Sequence, residues 1–501
     1  MSRDLRSKVR TRESSTNLLG LVWAAVIGVG AGSLVDARPP TFVLWLLVLI
    51  SFGTVLRRPQ GIRYAAVAAL SFLAGLSGTQ LAAPGPLDAL ASDVPHCELR
   101  GPITEHAGQM GTLVGAARLA CDDRPVLLDA GVVILDELTD DPGTSLAVDG
   151  WLVPFSDESW DQARARTGAD AAFDATNIDV VAEPRGVLGL AAAVRDSLRR
   201  STKGLDERKA GLVRGLTIGD TSEIDEATEH QFRRTGLAHL VAVSGSNVAI
   251  VLGAVVTLIR RLRPMLRTIL CLITLGLYVV IVGPEPSVLR AAAMGAIVVA
   301  GLVWGQRAEP LHALGLALVI LIVVRPGLTT SVGLHLSAAA TAGLVLWARP
   351  LAERLAHVLP RLVAWALGAT LAAQIAVAPI MIVVFGEISL VAPLANLLAI
   401  PAVAPATVLG LAGAVIGLAS PPLAAIAGRL AGDLAGWIVL VAETLARPPW
   451  AAVPCPSWVG WALAGPVAVG AMLTLRSQNR PAPEAEPAHA AGNESAAGRA
   501  I

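Results

Sequence analysis

The chain has 501 residues, 54% of them hydrophobic and only 16% charged, with 39 basic residues matching 39 acidic ones. A charged share well below the quarter usual in soluble domains, together with a mean hydropathy of +0.62, excludes a soluble globular protein and predicts a polytopic α-helical membrane protein. Formal neutrality excludes a global basic field that would gather nucleic acid. The lysines Lys8, Lys203 and Lys209 are not followed by Ser or Thr, so no Walker A loop can be written; any ATP-driven motor is expected on another polypeptide.

About 20 apolar residues are needed to cross a bilayer as a helix. Three candidates, Leu18 to Val35, Phe42 to Leu56 and Tyr64 to Leu81, occupy residues 1–81. The first is expected to be a retained signal-anchor rather than a cleaved leader, because further apolar runs follow closely.

Residues 82–185 are polar. Short apolar runs (Thr112 to Leu119, Pro125 to Leu128, Gly131 to Leu135, Ala147 to Val153, Asn177 to Val181) are separated by turn signals such as Asp141-Pro142-Gly143. They predict a small OB-like β-barrel. Cys97 and Cys121 both fall in this region, and a disulfide between them would staple a small core, although spacing alone also allows two free thiols. An OB-like barrel suggests single-strand binding, but Asp122, Asp123, Asp136, Glu137, Asp140 and Asp141 argue for a solvated lid or docking face, since phosphates need positive partners. Residues 186–235 read as juxtamembrane helices. Val187, Leu190, Val194, Leu198 and Leu205 follow helical spacing, with Arg195, Arg199, Arg200 and Lys203 on other faces, as in a helix lying in the bilayer interface or an ordinary linker helix.

Residues 236–475 hold nine more candidate spans, for about 12 in all: Leu237 to Ile259, Thr268 to Gly283, Ser287 to Trp304, Leu311 to Val324, Val332 to Trp347, Leu362 to Phe385, Leu390 to Leu418, Leu423 to Ala446 and Trp458 to Leu475. The Leu390 run contains Pro401 and Pro405, so it reads as one kinked span or a re-entrant hairpin. Cys271 and Cys455 are expected to be small packing residues. Arginines cluster at Arg3 to Arg12, Arg57 to Arg63, Arg260 to Arg267, Arg307, Arg349 to Arg361 and Arg476 to Arg480. With this span count nearly all fall on one side. The positive-inside rule then puts both termini in the cytoplasm and the β domain outside. Residues 476–501, rich in Pro, Ala and Glu, are expected to be a disordered tail.

The blocks Gly215-Leu-Thr-Ile-Gly-Asp220 and Phe232-Arg-Arg-Thr-Gly-Leu-Ala-His239-Leu-Val-Ala-Val-Ser244-Gly245-Ser-Asn247 resemble the signature of the ComEC family of bacterial competence proteins. Pro286-Ser287-Val-Leu-Arg290, Arg307-Ala-Glu-Pro310, Leu334-His335-Leu336-Ser337, Gln374, Pro379, Phe385-Gly386, Ser389 and Leu394-Ala-Asn396 follow in the family's order. The resemblance implies a channel in the cytoplasmic membrane that passes single-stranded DNA inward during natural transformation. It also implies a helix-hairpin-helix DNA receptor, a cytoplasmic helicase-like ATPase and a separate nuclease as partners, with membrane lipid around the helices and no cofactor or metal. The family commonly has His at Asn247 and Gln at His335. The family's metallo-β-lactamase-like signature, His-x-His-x-Asp-His, does not occur, so the chain resembles a short, non-enzymatic form.

Ionisable and polar residues at membrane depth need a wet or paired setting. Candidate contacts along a DNA path are His239, Ser244, Gly245, Asn247, Arg290, His335, Ser337, Gln374 and Asn396. Each has a structural alternative: Arg290 snorkelling or pairing with Glu285, His335 as a satisfied buried imidazole, the others as helix–helix hydrogen bonds. Asp220 is expected to be structural, and Arg429 and Asp433, one helical turn apart, to neutralise each other. A secondary transporter of another anionic solute is the rival reading, although no internal repeat is evident. An intramembrane protease is disfavoured, because Ile218-Gly219-Asp220 lacks the first Gly of a Gly-x-Gly-Asp site and no His-Glu-x-x-His occurs.

Overall fold

The structure is a computed structural model. It describes residues 95 to 478 apart from residues 107–111, 116–117, 122–123, 128–130, 136–140, 154–168, 242, 304–308, 326–327 and 329–330. The three N-terminal spans, the C-terminal tail and all of the acidic group except Asp141 lie outside the described residues.

Strands β1 (His96–His106), β2 (Thr112–Val114), β3 (Arg118–Cys121), β4 (Arg124–Leu127), β5 (Gly131–Ile134), β6 (Ser145–Val153) and β7 (Ala169–Ala182) form the β domain. Five of them close a barrel in the order β1-β2-β5-β7-β6 and back to β1, with β5 and β7 parallel; β3 and β4 extend from β1 as a hairpin. This is the small barrel expected of an OB-like domain. Alternation drives it: in β6, Leu146, Val148, Gly150 and Leu152 turn inward while their neighbours do not. Gly150 makes room for the Phe173 ring, whose Cε1 would lie 2.8 Å from an added Cβ. Cys97 and Cys121 are direct cross-strand partners with Cα atoms 4.1 Å apart, and they are joined by a disulfide. The run Thr112 to Leu119 splits into β2 and β3, and Asn177 to Val181 is only the end of the 14-residue β7. Sequence patterning does not single out β1, because Gly101-Pro102 reads as a break. The strand continues through it because Pro102, which has no N–H to give, still pairs with Ser145 and accepts the Gly115 N–H at 3.0 Å.

Helix α1 (Gly186–Ser201) follows and corrects the expectation that its arginines all face outward. Arg195 lies on the buried face with Ala191, Val194 and Leu198, while Val187, Leu188 and Leu190 are exposed. Its guanidinium donates to Asp141 Oδ1 at 2.6 Å and to the carbonyls of Val280 and Ile281 at 3.2 and 2.9 Å. Asp141 is therefore a docking residue of the barrel and not part of a solvated face. Helices α2 (Glu207–Ile218) and α3 (Glu226–Arg234) complete the segment.

The apolar helices are α4 (Ala238–Val241), α5 (Gly245–Leu258), α6 (Pro264–Val282), α7 (Pro286–Val303), α8 (Pro310–Val324), α9 (Val332–Gly343), α10 (Arg349–Leu355), α11 (Arg361–Phe385), α12 (Ala392–Ile416), α13 (Pro421–Ala446) and α14 (Ser457–Gln478). A π-helical turn, Leu344–Ala348, fuses α9 to α10. Among the described residues, eight of the nine apolar stretches after the β domain each form one continuous helical segment, and the Leu237 to Ile259 stretch divides into α4 and α5. Six candidate spans among the described residues are long and apolar enough to cross a membrane, and three shorter apolar helices include α5. The Leu390 to Leu418 run is one continuous helix, not a hairpin, with Pro401 and Pro405 inside it. A short antiparallel pair of β8 (Glu387–Ser389) and β9 (Ala452–Pro454) ties the end of α11 to the start of α14. Small residues allow close approach: an added Cβ on Gly413 of α12 would sit 3.3 Å from the Ala427 Cβ of α13.

Candidate functional site

The expected span Leu237 to Ile259 is interrupted. Helix α4 ends at Val241 and α5 starts at Gly245, with Ser244 in extended conformation as its N-cap residue. Two β-branched valines, then Ser-Gly-Ser, disfavour continuous helix here. The break is satisfied from outside: the Ser287 hydroxyl donates to the Val243 carbonyl at 2.8 Å. Inside it, the Ser244 and Ser246 hydroxyls bond to each other, and Ser244 donates to Asn247 Oδ1 at 3.5 Å.

Arg290, in the first turn and a half of α7, reaches into this break. It is only 6% exposed. Its Nε donates to the Ser337 hydroxyl of α9 at 2.8 Å, and Nη1 lies 3.2 Å from the Met294 thioether. Nη2 lies over the start of α5, where a Cβ on Gly245 would come within 2.6 Å of it. Among the described residues no carboxylate forms an ion pair with Arg290, Glu285 included. A guanidinium cannot shed its proton in a protein, so an unneutralised cation sits inside the helix bundle. Such residues are costly and mark functional sites by default.

The structure thus brings Ser244, Gly245, Arg290 and Ser337 together from three helices. Asn247 belongs to a different device. It is 1% exposed, and its Nδ2 donates to the Leu216 carbonyl at 2.9 Å. With Gly215 packed on the Val241 carbonyl and Tyr278 Oη 3.4 Å from the Thr217 carbonyl, it fixes α2 against the helix break.

The other candidates lie apart. His239 is exposed, with Nδ1 3.1 Å from the Gly236 carbonyl. His335 is exposed on α9; two residues from Ser337, it falls on another side of the helix. Gln374 Nε2 donates to the Ser389 carbonyl at 2.7 Å, and Asn396 Nδ2 to the Ala392 carbonyl one turn back at 2.9 Å. Arg429 and Asp433 do not neutralise each other: both are exposed, and Arg429 Nε donates to the Ala425 carbonyl at 3.3 Å. The Arg429 guanidinium turns back along α13 to Ala425, one turn before it, whereas Asp433 lies one turn after it.

Asp220 lies outside this cluster, at the end of α2. Gly219, with φ of 80°, ends α2 in the left-handed region that glycine tolerates and aims Asp220 at Arg199 and Ser222, at 3.4 and 2.6 Å. Burial alone would raise its carboxyl, but the Ser222 hydroxyl and the Arg199 charge outweigh that and hold it below the ordinary aspartate value. Sequence reasoning missed the Arg195–Asp141 contact and the role of Ser287. The latter had a signal, since Ser287 and Arg290 occupy one turn of one motif.

The family model described as "Competence protein" matches residues 216–480, over half of the chain and the part that contains this site. The chain is 29% identical over 261 residues to "ComE operon protein 3" of Bacillus subtilis (strain 168), covering 52% of this chain and 33% of that protein. It is 30% identical over 229 residues to "Uncharacterized protein YcaI" of Escherichia coli (strain K12), covering 42% of this chain and 29% of that one. The matches thus span about a third of the length of these curated relatives. No solved structure matches the chain significantly. On the extent of the family match, the chain belongs to the ComEC family of competence proteins.

Proposed function

We propose that this chain acts in DNA uptake as a non-enzymatic channel that conducts single-stranded DNA inward across the cytoplasmic membrane during natural transformation. The observation that carries this reading is Arg290, a permanent cation buried in the family-matched helices without a carboxylate partner among the described residues. A strand of DNA presents one phosphate per nucleotide, and a polar station that holds each phosphate weakly suits conduction better than one tight site. The arginine distribution supports cytoplasmic termini and an extracytoplasmic barrel. The reading takes about 12 spans, counting the three N-terminal ones. A helix-hairpin-helix receptor would deliver DNA, a separate nuclease would render it single-stranded, and a helicase-like ATPase would pull from the cytoplasm.

The test is genetic. Deleting the gene should abolish passage of labelled DNA into the cytosol while surface binding persists, and a copy carrying Arg290→Ala should fail to restore passage. Normal transformation in the deletion strain would overturn the reading. The broken α4–α5 helix also favours a second reading, transport of another anionic solute, because interrupted helices form substrate sites in secondary transporters. Normal DNA uptake together with loss of a solute's uptake in the deletion strain would favour that alternative.

A further inference from the structure

Three features of the Arg290 region remain unused by a generic polar lining. The first is the start of α5, a 14-residue helix whose first amides face the break in the chain. Helix N-termini carry unsatisfied N–H groups and a partial positive charge that favour anions. The second is Gly245, where an added Cβ would lie 2.6 Å from Arg290 Nη2, so glycine lets the guanidinium lie against that N-terminus. The third is the partner set of the guanidinium: a hydroxyl and a thioether, both neutral. A buried arginine serving only the fold would be expected to meet a carboxylate. This one instead lies beside a second source of positive potential, bonded to the Ser337 hydroxyl and next to the helix start that carries the Ser244–Ser246 hydroxyl pair.

We infer that the α4–α5 break is a built binding site for one tetrahedral oxyanion of the phosphate class, held by Arg290 and the α5 N-terminus. The inference rests on the proposed function in naming a phosphodiester as the working ligand, but the site's chemistry stands without it. Arg290 supplies the charge and a planar donor fork. Gly245 keeps the approach open, Ser337 fixes the guanidinium through Nε, and the Ser244–Ser246 hydroxyl pair can turn toward a bound oxygen. Among the described residues of α4 to α9, the other arginines, Arg260, Arg261, Arg263, Arg267 and Arg325, lie at or beyond helix ends. The site therefore takes phosphates singly, not along a basic groove.

The experiment uses the full chain purified in a maltoside detergent, which contains no phosphate, and radiolabelled inorganic phosphate at constant ionic strength. Saturable binding is expected for the wild type. Arg290→Gln and Gly245→Ala should each weaken it at least tenfold, and Ser337→Ala by a smaller factor, with melting temperature checking that each variant is folded. If Arg290→Gln fails to fold, Gly245→Ala decides, because it leaves every charge in place and alters only the approach. Two competitors separate the sources of phosphate. A deoxydinucleotide that displaces the label marks a nucleic-acid backbone, and phosphatidylglycerol that displaces it marks a lipid headgroup. Binding that is absent in the wild type, or unchanged in folded Gly245→Ala, overturns the site. If phosphate binding is lost in Arg290→Gln but DNA uptake is normal, the site stands and the channel reading falls. Unaltered phosphate binding with lost uptake does the reverse.

Discussion

Replacing Asp141 with alanine removes the barrel's anchor to the membrane helices. Asp141 and Arg195 are 11% and 7% exposed at the side chain and 2.6 Å apart, and Asp141 also lies 3.9 Å from Arg199. Removing one partner of a buried pair costs about 3–5 kcal/mol, because the remaining charge has lost both water and counter-ion. Arg195 keeps its two carbonyl acceptors on α6, so the expected cost is at the lower end, about 3 kcal/mol. Arg195→Met should cost less, since Asp141 retains Arg199. The double variant Asp141→Leu/Arg195→Met should lie near the wild type, because a well-packed apolar pair is often as stable as a buried ion pair. Thermal melting of the detergent-solubilised chain, read by tryptophan fluorescence and with the Asp141→Leu single variant included, would give all four corners of the cycle. A melting temperature for Asp141→Ala equal to the wild type, or a double variant as unstable as the sum of the singles, would refute the idea that this contact holds the barrel in place.

Three further outcomes follow from the same geometry. Reducing the Cys97–Cys121 bridge, which closes a sequence separation of 24 residues, should destabilise the barrel by about 3.5 kcal/mol on the loop-entropy relation, seen as a lower melting temperature with reductant. Asn247→Leu leaves the buried Leu216 carbonyl without its donor and should cost about 1–3 kcal/mol, measured by the same melt. The depressed Asp220 carboxyl gives stability that is complete above its ordinary value near 4 and is lost as pH falls through the lower folded value; Asp220→Asn should flatten the acid limb of a pH–melting profile.

The membrane half was legible because a bilayer demands continuous apolar runs, and of the nine stretches after the β domain only Leu237 to Ile259 divides, into α4 and α5. Apolarity on every side, however, erases the amphipathic signal that would say which residues face each other. Arg290 and Ser337 are 47 positions apart, and only the packing of α7 against α9 brings them together. His335 and Ser337 sit in one motif, yet their spacing of two separates them around the helix. Spacing also misled at Arg429 and Asp433, where one turn permits a pair but the guanidinium turns back to the Ala425 carbonyl. In the barrel, alternation marked the strands from β2 to β6 and the end of β7, but not β1, which brings Leu99 and Ile103 to the core. Nor did it carry the contact across domains: Arg195 had the spacing of a solvated face, and only Asp141, 54 residues earlier, makes it an inner one.

The position one helical turn after Arg290 permits a sharper test of why the charge is left open. A residue at i+4 is where a helix would place a counter-ion, and the chain has Met294 there, its sulfur 3.2 Å from Nη1. Met294→Glu would supply the missing carboxylate at nearly the same volume. A buried arginine in a membrane helix carries a desolvation cost, and an internal partner offsets part of it, so the variant should melt at or above the wild-type temperature. If Arg290 exists to meet phosphate, the same carboxylate would occupy it and repel the ligand, and phosphate binding and DNA passage should both fall. A purely structural arginine predicts the opposite pairing: stability gained and transport kept. Stability and function moving in opposite directions is an outcome that misfolding cannot imitate, and a Met294→Glu chain that still passes DNA at the wild-type rate would remove Arg290 from the path.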